Sequence, residues 1–102
     1  MTQTYFLLLT ALPAFLAIPR TRRDAAAWEA VAASGLTGVR FFDAEAFSAR
    51  CSDVMMVEGM TPEAFHRAIE HLRDGPVFTT PWFRLEDVVV TLENGHQMMR
   101  SS

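Results

Sequence analysis

The chain has 102 residues, half of them hydrophobic, and a formal net charge of −3, which bounds it to one domain with one core. That acidic balance, with a pI near 5.5, argues against nucleic acid or an anionic membrane as partner, because both reward a basic face. The basic residues are all arginine, so a Schiff-base, pyridoxal-anchoring or P-loop lysine is excluded.

Tyr5–Thr10 is uncharged and rich in aliphatic and aromatic side chains, and predicts a first buried strand. Ala11–Pro19 follows as an apolar loop punctuated by Pro13 and Pro19. No basic residue precedes this apolar opening, and Arg20, Arg22 and Arg23 follow it. That order fits neither a signal peptide nor a spanning helix. Thr21 and Asp24 have the spacing of a capping box that opens the first helix. Ala25, Trp28, Val31 and Ala32 then share its inner face, Arg22, Glu29 and Ala33 lie opposite, and Gly35 stops it. The arginines oppose the positive end of the helix dipole, so they are expected outside it in solvent.

Val39–Phe47 and Ser52–Glu58 read as an antiparallel hairpin with a tight connection near Ser48–Arg50. The alternative is a short helical turn over Ala44–Arg50 capped by Asp43. The second helix is the clearest element. Thr61 is its N-cap, Pro62 takes the first helical position, and Ala64, Phe65, Ala68, Ile69 and Leu72 form its apolar stripe. Gly75-Pro76 ends it, Val77–Trp82 is an irregular aromatic segment, and Phe83–Leu92 is the fourth strand. Asn94-Gly95 marks a turn. Residues 1–95 thus form a single domain, with 96–102 a loose tail.

The element order is β-α-β-β-α-β, a ferredoxin-like α+β arrangement with both helices on one face of a four-stranded antiparallel sheet. The runs Phe6–Leu9, Val39–Phe42, Val54–Val57 and Val88–Val90 lack the alternation of a sheet with one wet face. If about eight large apolar side chains face away from the helices, leaving them wet forgoes on the order of 12–24 kcal/mol. A second copy packed sheet to sheet removes that exposure, so a homodimer through the sheet face is expected.

The segment Arg40-Phe41-Phe42-Asp43-Ala44-Glu45-Ala46-Phe47-Ser48-Ala49-Arg50-Cys51-Ser52-Asp53 resembles the strongest block of the darcynin family of small bacterial proteins. Thr2–Leu9 and the stretch from Pro81-Trp82-Phe83 to Asn94-Gly95 are similar in kind. The resemblance implies an α+β fold related to the dimeric α+β barrel proteins, and it implies no activity.

The polar cluster Asp43, Glu45, Arg50, Cys51 and Asp53 falls at one end of the expected hairpin. Arg50 and Asp53 are candidate ligand contacts, with Arg50 suited to an anion and Asp43 or Asp53 to a base. A solvated hairpin end with ion pairs and turn-forming side chains is the plainer reading. His66 and His71 are five apart and do not make an i, i+4 metal pair. His71 remains a candidate acid or base at a cavity edge. Arg40 interrupts an apolar strand, so it either reaches solvent at an edge or pairs with Glu58 or Glu86. Tyr5, Trp28, Trp82 and Phe83 either fill the core and subunit contact or line a ligand cavity between sheet and helices. Of these, Tyr5 and Trp82 are the candidate ligand contacts.

A single cysteine, Cys51, cannot form an internal disulfide, which points to a reducing cytoplasm. No glycine pattern or ligand spacing marks a nucleotide, flavin or metal site, so no cofactor is expected. The reading is therefore a cytoplasmic homodimer that binds a small apolar or aromatic molecule. The alternative is a cofactor-independent oxygenase or isomerase of the dimeric α+β barrel type, an analogy of fold alone.

Overall fold

The structure is a computed structural model that describes residues 1–96. Past His96, the expected tail and its Met98-Met99 pair lie outside the described residues. Eight elements follow in order: β1 (Gln3–Ala11), α1 (Pro13–Leu16), α2 (Arg20–Ser34), β2 (Val39–Asp43), β3 (Asp53–Met60), α3 (Pro62–Asp74), α4 (Pro76–Thr79) and β4 (Phe83–Thr91). The strands form one antiparallel sheet in the order β2-β3-β1-β4. The two one-turn helices α1 and α4 occupy stretches whose sequence reads as loop. Each opens on a proline, whose missing N–H is no loss at a first helical position.

Alternation along β1 divides the sheet into two faces. Tyr5, Leu7 and Leu9 are buried, with Val57 opposite Tyr5 and Met55 opposite Leu7. Val31, Ala68, Leu72, Val77 and Phe83 from the helices and β4 join this core, as do Leu36 and Met60. The reverse face carries Phe42–Val54–Leu8 in one row and Arg40–Met56–Phe6–Val89 in the next. Six apolar side chains therefore face away from the helices, rather than about eight. Phe42 and Val89 remain 43% and 42% exposed.

Helix α2 departs from its sequence reading in two ways. It begins at Arg20, with Pro19 as N-cap and no side-chain cap bond, so Thr21 lies inside the first turn and the capping box does not form. Pro19 is already near the φ that a helix requires, which starts the helix early. The arginines thus sit within the first turn. Arg23 folds back to donate to the carbonyls of Ile18 and Leu16, satisfying groups that α1 leaves orphaned. The inner stripe is also rotated. Ala27, Ala30, Val31 and Ser34 face inward, while Ala25 and Ala32 are exposed. Alanine is too small to mark a face, so periodicity here is weak. Gly35 ends α2 in the left-handed region at φ 89°, as a C-terminal glycine does.

Helix α3 matches its reading. The Thr61 hydroxyl accepts from Ala64 N at 3.2 Å, and Ala68 and Leu72 are buried. Strand β2, by contrast, stops at Asp43 instead of reaching Phe47. The Asp43 carboxylate accepts from Glu45 N, and Ala44 O accepts from Phe47 N and Ser48 N, giving the short turn rather than a longer strand. An aspartate that bonds its own backbone competes with the ladder. Phe47 is 93% exposed and has nothing to gain from pairing.

Candidate functional site

A cleft of about 350 Å³ opens between α1, α2 and the end of the sheet where β2 stops and β3 begins. That volume is in the range of small-molecule sites. Phe15, Trp28, Phe41 and Phe83 supply its aromatic walls, and Asp24 and Asp53 supply carboxylates. Trp28 meets Phe41 edge-on at 5.0 Å, while Phe15 lies 4.6 Å from Phe83. A small apolar void of about 20 Å³ shares Ala27, Phe41 and Phe83 with the cleft and reaches Leu9, Met55 and Leu72. The inner end is thus apolar and the mouth is acidic.

Local sequence explains each position. Asp24 and Trp28 are one turn apart on α2 and so share a face. Phe41 follows the alternation of β2 onto the helix side, opposite Met55. Asp53 opens β3 and is held by Ser52, whose hydroxyl donates to Asp53 Oδ2 at 2.7 Å. The same hydroxyl accepts from Ala11 N at 2.7 Å, and Ser52 N donates to Leu9 O. Ser52 therefore ties the base of the site to β1. Burial pushes the Asp53 carboxyl above its ordinary range and the nearby Asp43 charge adds to that, while the Ser52 hydrogen bond acts the other way.

The cluster expected at the hairpin end is divided by the sheet. Asp53 lines the cleft, with Asp43 beside it in register. Glu45, Arg50 and Cys51 line a separate polar groove with Thr10, Arg84 and Glu86. There Arg84 Nη2 bonds Glu86 Oε2 at 3.0 Å and Thr10 donates to the same carboxylate, so Glu86 is held below its usual range by Arg84 first and Thr10 second. Cys51 is buried, with its sulfur 3.8 Å from the Ser48 hydroxyl.

The other sequence candidates lie elsewhere. Tyr5 is 2% exposed in the core, stacked on Phe65 at 3.7 Å, and its hydroxyl donates to Gln3. Burial and the Glu63 charge push that phenol up. Trp82 is half-buried and backs the cleft through Phe15 at 5.9 Å without lining it. Arg40 is exposed on β2, its guanidinium 5.3 Å from the Phe42 ring centre. His71 is exposed on α3, along a shallow groove with His66, Glu63 and Glu70. Sequence reasoning missed Phe15, Asp24 and Phe41. Only the Asp24–Trp28 spacing offered a signal, and a capping role had claimed Asp24.

A family model described as Darcynin, domain of unknown function, matches residues 1–101. The chain belongs to the Darcynin family. Darcynin of Chromobacterium violaceum is 51% identical over 57 residues, covering 56% of this chain and 72% of that protein. Darcynin homolog of Streptomyces avermitilis is 35% identical over 98 residues, covering 91% of this chain and 80% of its own. Darcynin 1 of Acinetobacter baumannii is 31% identical over 58 residues, and the match spans 64% of that protein. The family match therefore spans nearly the whole chain, including residues 40–53 and the similar stretches at either end. No helix among the described residues is long and apolar enough to cross a membrane.

Proposed function

We propose that this Darcynin-family chain is a cytoplasmic homodimer of ferredoxin-like protomers, paired sheet to sheet as in dimeric α+β barrels, and that each protomer binds a small apolar or aromatic molecule. The aromatic-walled cleft between α1, α2 and the sheet end carries the binding reading. The row Arg40–Met56–Phe6–Val89, apolar except at its edge, supports the dimer. Fully sheltering six such side chains is worth at most about 9–18 kcal/mol, less whatever burial they already have. Opposite charges stand at opposite rims of that face, Arg40 on β2 and Asp87 on β4, which a two-fold copy can pair. Cleft and open face lie on opposite sides of the sheet, so the two roles do not compete.

The oxygenase or isomerase alternative wants His71, Asp43 or Arg40 in a cavity with Trp82 or Tyr5. His71 and Arg40 are on outer surfaces and Tyr5 is packed in the core, so the binding reading is preferred. A thermal-shift screen of small aromatic and aliphatic compounds tests it. A saturable rise in melting temperature that Trp28→Ala abolishes is the expected outcome. A flat response across the screen contradicts it.

A further inference from the structure

We propose that the molecule bound in the cleft carries an ammonium group beside an aromatic or aliphatic body, a small aralkyl amine being the simplest example. This rests on the cleft being a ligand site and names the chemistry of its ligand. Asp24 and Asp53 line an opening whose remaining walls are Phe15, Trp28, Phe41, Phe83 and Ala27. The ion pairs among the described residues are His66–Glu70 and Arg84–Glu86, so neither cleft carboxylate is neutralised by a protein cation there. Arg23, one residue from Asp24, directs its guanidinium to the carbonyls of Leu16 and Ile18.

The charge that satisfies this mouth is therefore positive and comes from the ligand. Aromatic faces favour the same sign, because the ring quadrupole attracts a cation. A carboxylate ligand would meet repulsion from both aspartates and from Asp43 beside them. Among the described residues, no three histidine, cysteine or acidic side chains gather closely enough to hold a metal ion, and aromatic walls that offer a metal no ligand suit an organic cation. The raised Asp53 carboxyl agrees, since an ammonium placed nearby relieves the burial and the like charge that push it up.

Isothermal titration of the full chain near pH 7 with 2-phenylethylamine, 2-phenylethanol and 3-phenylpropionate tests the proposal. The amine is expected to bind roughly tenfold or more tightly than the alcohol, with the acid weakest. Asp24→Asn, at an exposed helix position, and Asp53→Asn should each weaken the amine several-fold and shrink its advantage over the alcohol. Alcohol or acid binding as tightly as the amine overturns the ammonium proposal and leaves the small-molecule cleft standing. An amine advantage that survives both substitutions overturns it as well. Failure of all three probes to bind at millimolar concentration overturns both the ammonium proposal and the cleft as a ligand site.

Discussion

Asp43 and Asp53 stand directly opposite each other on the last rung of the β2–β3 pair. Like charges so placed destabilise a sheet, and here one of them is also half-buried. Burial first, and the Asp43 charge with it, make Asp53 easier to protonate in the folded state than in the unfolded chain. Its folded pKa lies above the unfolded value, so stability is greatest below the ordinary aspartate range and falls as pH rises through the folded pKa. Asp53→Asn is expected to gain about 0.2–1 kcal/mol in denaturant unfolding at pH 7. The gain should fade as pH falls through the folded pKa and vanish below about pH 3, where aspartate is neutral in both states. Asp43→Asn should move the Asp53 titration downward in a carboxyl-detected NMR experiment.

Gly38 has φ +64°, and a Cβ there would run into the backbone carbonyl of Glu58. The two residues also share a hydrogen bond from Glu58 N to Gly38 O at 3.1 Å. Gly38→Ala should destabilise by on the order of 1–3 kcal/mol in chemical denaturation. Gly35→Ala, also at positive φ but with open space around its Cβ, should cost less.

Thr61→Ala removes the bond that caps α3 at Ala64 N. A loss of about 1 kcal/mol in unfolding free energy is expected. Thr61→Ser should retain most of that stability, because the capping oxygen remains.

Phe42→Glu places a charge among the apolar side chains of the open face, on its β2 edge, while leaving the helix-side core intact. Since Phe42 is 43% exposed in the protomer, the variant should keep its far-ultraviolet circular dichroism. Its sedimentation should be that of a monomer at concentrations where the unsubstituted chain is paired.

Helix α3 was legible because every signal agrees: a threonine cap, a proline at the first position and one apolar stripe. Helix α2 was legible in extent but not in facing, because its alanines give either face nearly the same burial. The end of β2 turned on the Asp43 side chain bonding its own backbone, which favours the turn that the sequence left as an alternative. Asp53 stood out in the sequence from its place beside other polar groups, and the fold puts it on the cleft wall. Phe15 was not, because it reaches the cleft from a one-turn helix with no periodicity, and only the fold brings it to Phe83.

Sedimentation equilibrium at micromolar concentration tests the central claim, that the open face of the sheet is sheltered by a second copy. The predicted result is a mass of twice the 11.4 kDa protomer, returning to a single protomer in Phe42→Glu. A concentration-independent mass of one protomer for the unsubstituted chain would contradict it.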